Sequence, residues 1–274
     1  MTDKFEWIAV KSVDELHKVI REKGIVKEYK YIDDVLHIAY KESLKDEENL
    51  DKYADIINGL LDIKNSYQAP QKIMDILTGD IKERHKVFNN FLETFDKDLD
   101  WDWFQKYFES EHADRKKKKQ DYTPNSVSRI LSGLVEDTNN YYEVCAGTGG
   151  IMIQRWSQDR YKHSPFEYKP SMNFYIVEEL DDRAFLFLLF NMLIRGMNGI
   201  AIKCDVLTRE SEAVYFIQND DDDYTNFSKL NLMPYNEMIE KEFNIKFVED
   251  VRHKEVKQSR KVDWLLKLES EDIK

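Results

Sequence analysis

Three short stretches of the chain carry residue types suited to holding a nucleotide-like ligand. Residues 143–150 read EVCAGTGG: an acidic residue, Glu143, then Cys145, Ala146, Gly147, Thr148, Gly149 and Gly150. Glycines at such a turn let the backbone approach a ligand and adopt positive φ. Further on stand Glu178 and Glu179, where a carboxylate can accept hydrogen bonds from both hydroxyls of a ribose. A third stretch ends in Cys204 and Asp205, whose carboxylate can accept from an exocyclic amine. No lysine follows the glycines in the GxxxxGK[ST] pattern, which disfavours a triphosphate, and GTGG is not the GxGxxG of a dinucleotide site. The ligand class that fits is an adenosyl group with a charged tail.

These stretches need elements that bring them to one place. YYEVC, NFYIV (173–177), IAIKC (200–204) and AVYFIQ (213–218) read as strands, with helices over IMIQRWSQ and 182–197 between them. Strand–helix alternation with glycines at the first turn predicts a mainly parallel sheet covered on both faces, and ligands bind beyond the carboxyl ends of such strands. A last helix near YNEMIEKEF leads to IKFVED and VDWLLKL, expected to close the sheet as an antiparallel pair. Residues 1–115 are expected to form an α-helical domain and 116–274 an α/β domain. The helical expectation rests on the capping box SVDE (12–15) and on IDDVLHIAY, LDKYADIINGLLDI, PQKIMDIL and HKVFNNFLETF. In DWDWFQKYF, Trp101, Phe104 and Phe108 form an aromatic stripe expected in the core.

The ordered set YTP (122–124), EVCAGTGG, VEELDD and FNMLIRGMNGIAIKCDVL resembles the S-adenosylmethionine-dependent N6-adenine DNA methyltransferases. The resemblance is strongest to the modification subunit of type I restriction systems and to shorter phage-borne relatives, and it covers about residues 70–210. It implies a Rossmann-like class I methyltransferase sheet and S-adenosylmethionine as cofactor. Tyr122 and Thr123 would lie against the methionine part, and Glu143 with Gly147, Gly149 and Gly150 would line the amino-acid moiety. Glu179 would hold the ribose, with Glu178 as the other alignment, and Asp205 would meet the adenine amine. The family places [N/D]PP[F/Y] after its fourth strand, and that tetrapeptide is absent. At that place stand Asn219, four aspartates (Asp220, Asp221, Asp222, Asp223) and Tyr224, while NLMPY at 231–235 is a second near-match too far along. Asn219 would position the target amine and Tyr224 would stack on the base.

Composition bounds the alternatives. With 42% hydrophobic and 13% aromatic residues the chain can build a core, and a net charge of −12 argues against coating nucleic acid by bulk charge. DNA contact would need a local basic patch, for which Arg115, Lys116, Lys117, Lys118 and Lys119 are the candidates. Cys145 and Cys204 make neither a metal site nor a disulfide framework, and the four aspartates read as an acidic surface loop without metal. AFLFLLFNMLI (184–194) is too short to span a bilayer, and the start shows no signal peptide, so a soluble cytoplasmic protein is expected. Two readings remain. One is an adenine methyltransferase with a divergent loop, working beside a specificity subunit. The other is a catalytically inactive, cofactor-binding relative acting through contacts with a restriction subunit or a host or satellite regulatory protein.

Overall fold

Between Asp33 and Lys41 the apolar residues fit two periods at once, and the structure selects the shorter one. A computed structural model describes residues 6–10, 26–32, 35–40, 48–105, 107–108 and 138–259, with side chains from residue 53 onward. Strands β1 (Glu6–Val10), β2 (Val26–Ile32) and β3 (Val35–Tyr40) form an antiparallel sheet in the order β1-β3-β2. The expected helix over IDDVLHIAY is therefore corrected. Leu36, Ile38 and Tyr40 alternate with Val35, His37 and Ala39, and pairing on both edges favours the two-residue period. The capping box at 12–15 and the expected boundary at 115/116 lie outside the described residues. The compact units divide between Tyr53 and Ala54.

From α1 (Glu48–Leu60) onward the helical reading and the structure agree. The helices α2 (Ala69–Thr78) and α3 (Ile81–Thr94) follow, the second opened by Asp80, whose side chain accepts from the N–H groups of Lys82 and Glu83. Their apolar faces bury Ile73, Leu77, Phe88 and Phe91. Phe104 and Phe108 are buried as expected, with Trp103 rather than Trp101 as the fully enclosed indole.

The second sheet runs β4 (Asn140–Val144), β5 (Phe174–Glu179), β6 (Gly199–Cys204), β7 (Glu210–Gln218) and β8 (Lys229–Leu232), in that spatial order. α4 (Gly150–Tyr161) connects β4 to β5, and α5 (Asp182–Ile194) connects β5 to β6. Among these five strands, β4, β5 and β6 run parallel. β7 turns back antiparallel to β6, and β8 pairs antiparallel with β7. The sheet is therefore mixed, because the connection 205–209 has room for a turn and none for a crossover helix. β9 (Lys246–Phe247) pairs parallel with the start of β7, so the expected antiparallel closing pair is not formed by IKFVED, and VDWLLKL lies outside the described residues.

Beyond its first turn α5 is apolar on nearly every side, Asn191 excepted, because it is enclosed there. It packs on the sheet and meets α2 on its outer side, while Phe190 touches Phe88 and Phe91 of α3. The opposite face of the sheet is covered by α6 (Glu237–Phe243) over Ile200, Ile202, Val214 and Phe216. Tyr142 and Val144 of β4 stay exposed on the described surface.

β6 starts where chain packing is tightest. A Cβ built on Gly199 would lie 2.1 Å from the Tyr175 carbonyl oxygen of β5. Gly199→Ala is expected to lower stability by roughly 2 kcal/mol or more, since backbone must shift to admit a methyl group. Denaturant unfolding against the parent protein measures it.

Candidate functional site

Parallel pairing of β4, β5 and β6 sets the turn 145–149, Glu178–Glu179 and Cys204–Asp205 at one end of the sheet. The turn is bent by positive φ at Cys145 (55°), Gly147 (59°) and Gly149 (96°). A Cβ at Gly147 would meet nothing within 4 Å, so its surface is open, whereas one at Gly149 would collide with Leu188 and Met152 at 2.8 Å. Gly149 serves packing and Gly147 leaves room. Gly150 opens α4, whose Gly149 cap contributes no side-chain bond to the first N–H groups. Ala146 is buried, its N–H bound to the Glu178 carbonyl at 2.9 Å.

Neighbouring glutamates on a strand face opposite ways, so only one of the two lines the cleft. Glu179 accepts from the N–H of Gly147 at 2.7 Å and from those of Leu180 and Asp181 at 2.9 and 2.7 Å. It therefore ties the second strand end directly to the glycine turn. Glu178 points to the other face, where Arg209 donates to both of its oxygens at 2.6 and 3.0 Å and the Tyr142 hydroxyl donates at 2.8 Å. Burial raises the Glu178 carboxyl, but the bonds from Arg209 and Tyr142 outweigh it, so it sits below the ordinary value. The same pairing holds the Arg209 guanidinium well above its usual range.

A cleft of about 620 Å³ opens at this end, within the range of small-molecule sites. Its walls carry Glu143, Cys145, Ala146, Gly147, Thr148, Gly150 and Glu179 from the sequence reading. They also carry Asp102, Asp181, Asp182, Lys203 and Glu212, which that reading missed. Lys203 is buried, bound to Asp182 at 3.0 Å and facing Glu212 at 3.6 Å. Among the described lining residues six carboxylates thus face one ammonium. Burial pushes the Glu143 carboxyl up to about 7, opposed by the Tyr141 hydroxyl that donates to it at 3.0 Å. Partial burial and the surrounding carboxylates push the exposed Cys145 thiol up, away from the thiolate form.

The other sequence candidates stand elsewhere. Asp205 does not line the cleft; its carboxylate accepts from the N–H groups of Leu207 and Thr208 and shapes the β6–β7 turn. Asn219 follows the far end of β7, which is antiparallel, so it lies at the amino ends of β5 and β6. The six residues of β6 alone put about 20 Å between the two ends. There Asn219 is buried and structural: Nδ2 donates to the carbonyls of Asp223 (2.8 Å) and Asn226 (2.9 Å), and its N–H to Asn198 Oδ1 (2.7 Å). Tyr224 sits beside it, edge-on to Tyr168 at 6.4 Å. The direction of one strand therefore places these two residues, expected to position the target amine and to stack on the base, at the end of the sheet away from the glycine turn. The aspartates are engaged within the fold, Asp220 with Lys229 at 2.7 Å and Asp222 with the N–H and hydroxyl of Ser171 at 2.8 Å. Tyr122, Thr123 and Arg115 to Lys119 lie outside the described residues. Among the described residues no His, Cys, Asp and Glu cluster could hold a metal, and no helix is long and apolar enough to cross a membrane.

A glycine turn, a strand-end glutamate bound to it and an acidic cleft thus stand together at one end of an α/β sheet. A family model for N-6 DNA methylases matches residues 101–264, more than half of the chain. The chain belongs to that N6-adenine DNA methyltransferase family. No curated protein and no solved structure matches it.

The Glu178–Arg209 pair makes stability depend on acid. Glu178→Gln is expected to cost roughly 1–3 kcal/mol at pH 7. A carboxyl held below its ordinary value contributes stability above about pH 4.5, lost as pH falls through the folded value. The gap between parent and Glu178→Gln should therefore narrow below pH 4.5 in thermal or urea unfolding.

Proposed function

We propose that this chain binds S-adenosylmethionine in the cleft beside Gly147 and Glu179, and that it does not by itself transfer the methyl group to adenine. The cofactor carries an ammonium, a sulfonium and one carboxylate, net positive, and a lining of six carboxyl groups against one lysine suits that charge. The open surface at Gly147 leaves space for the amino-acid tail, with Glu143 as its acidic neighbour. Glu179 spends three acceptor positions on backbone N–H groups, and a carboxylate offers about four, so one remains for a ribose hydroxyl. When bound, the cofactor would supply an activated methyl group. The observation that carries the non-catalytic half of the reading is the antiparallel course of β7, which puts Asn219 at the wrong end of the sheet and buries it.

Family membership favours a second reading, adenine methylation in DNA with the amine-positioning groups supplied by a partner chain. It shares the cofactor site and differs in what completes it.

Calorimetry is expected to show saturable binding of S-adenosylmethionine, weakened at least ~10-fold by Glu179→Gln, the loss of charge-assisted bonds that also shape the turn. Absence of heat at millimolar cofactor would reject the cofactor site. Tritiated methyl groups should not pass to adenine-containing DNA with the chain alone. Incorporation that Glu179→Gln abolishes would overturn the non-catalytic half.

Glu143 adds a pH signature. Its folded-state value of about 7 lies above the ordinary one, so the neutral acid stabilises the free protein at low pH and that contribution is lost as pH rises through 7. Cofactor affinity should move the opposite way, rising between pH 6 and 7.5 as the carboxylate forms, below the range where an α-amino group deprotonates. Glu143→Gln is expected to flatten this part of the affinity profile.

A further inference from the structure

Thr148 stands between the two positive-φ glycines, and its side chain points into the protein. Its hydroxyl donates to Asp102 Oδ2. Asn191 of α5 donates from one Nδ2 to Asp102 Oδ1 at 2.9 Å and to the Thr148 carbonyl at 2.8 Å. The amide of Asn191 is oriented in turn by Arg195 one helical turn on, whose guanidinium donates to Asn191 Oδ1 at 2.8 Å. Arg195 also donates to the Leu99 and Trp101 carbonyls at 2.9 and 2.8 Å and lies near the rings of Trp103 and Trp156. Asp102, Thr148, Asn191 and Arg195 are all buried.

Within the glycine turn, the Thr148 residue is thus gripped twice, at its hydroxyl and at its carbonyl. The other anchors nearby are the Gly147 N–H on Glu179 and the Gly149 N–H on the Ala146 carbonyl. An aspartate that served only to fold the 98–104 segment would need none of the Thr148 contacts, since the Phe104 N–H and Arg195 already hold that segment. Asp102 also lines the cleft itself. We infer that Asp102 is a positioning residue for the cofactor turn, acting through Thr148 and Asn191. The inference rests on the cofactor reading above. Burial pushes the Asp102 carboxyl above its ordinary value, and the bonds from Thr148, Asn191 and Phe104 with the charge of Arg195 offset only part of that rise. A fully bonded buried network of this kind fixes one geometry.

Thr148→Val removes the hydroxyl at nearly constant shape, and Thr148→Ser keeps it. In the cofactor-free protein, amide hydrogen exchange over 146–151 should speed up at least ~10-fold in Thr148→Val and stay near the parent in Thr148→Ser. Affinity for S-adenosylmethionine, by calorimetry, should fall at least ~10-fold in Thr148→Val and change less than ~3-fold in Thr148→Ser. Asp102→Asn can accept from Asn191 and Phe104 and donate to Thr148, so it should bind within ~3-fold of the parent, whereas Asp102→Ala should lose at least ~10-fold. If Asp102→Ala does not fold, the threonine pair carries the test. Faster exchange with unchanged affinity, or no change in either, would overturn the positioning role while leaving the cofactor site intact. A parent protein that binds no S-adenosylmethionine would reject the cofactor reading and this inference with it.

Discussion

The connection from β6 to β7 is too short to cross the sheet, and most of the functional geometry follows from that constraint. A chain that cannot cross must turn back, so β7 runs antiparallel to β6. Asp205 and Arg209 close the turn, and Arg209 then reaches over to clamp Glu178 on the outer face. Every residue at the far end of β7 is delivered to the amino ends of its neighbours. Asn219 and the aspartates after it become a cap for that end, tied to Gly196, Asn198, Asn226, Ser171 and Lys229. The acidic loop that would repel a phosphate backbone is thus not required to meet one at the cleft.

At the opposite end the constraint is one of acceptors. Three strand ends converge, and the N–H groups of the glycine turn and of the start of α5 need partners. Glu179 supplies them for Gly147, Leu180 and Asp181 with one side chain, and Asp181 caps α5 through Arg183 and Ala184. The carboxylates that build the turn are also the ones that colour the cleft negative. The fold of the turn and the charge of the cleft therefore share the same residues, and a change to either is felt by both.

What could be read from the sequence divides along the same physical line. EVCAGTGG was legible because turn chemistry is local: glycine tolerates positive φ wherever it stands, and Gly147 and Gly149 adopt it. The choice between Glu178 and Glu179 was not legible, because it depends on which strand face meets the turn. The direction of β7 was the largest loss. AVYFIQ has the same pattern read either way, and the informative signal lay in the short 205–209 connection before it. IDDVLHIAY was ambiguous between two periods, and only pairing partners decide such cases. Asp102 was hidden by its aromatic neighbours. A usable clue was present in α5, where Asn191, with Arg195 four residues on, interrupts an otherwise apolar run, since buried polar groups in such a helix must find partners.

The family model spans residues 101–264 and so takes in both the glycine turn and the loop after β7. Such a match follows the order of residues along the chain. Chemistry depends instead on which strand ends meet in space, and these two segments follow opposite ends of the sheet. A relative can keep the order of the glycine turn and the acidic strand ends and still separate the group that would hold the methyl donor from the group that would align its acceptor. In this chain the glycine-turn end is supported by Glu179, Thr148 and the buried Asp102 network, each with several bonds. The far end holds an asparagine whose amide is already committed to backbone carbonyls. Freeing that amide would strand the carbonyls of Gly196, Asp223 and Asn226, a cost that works against recruiting Asn219 to the cleft by local rearrangement.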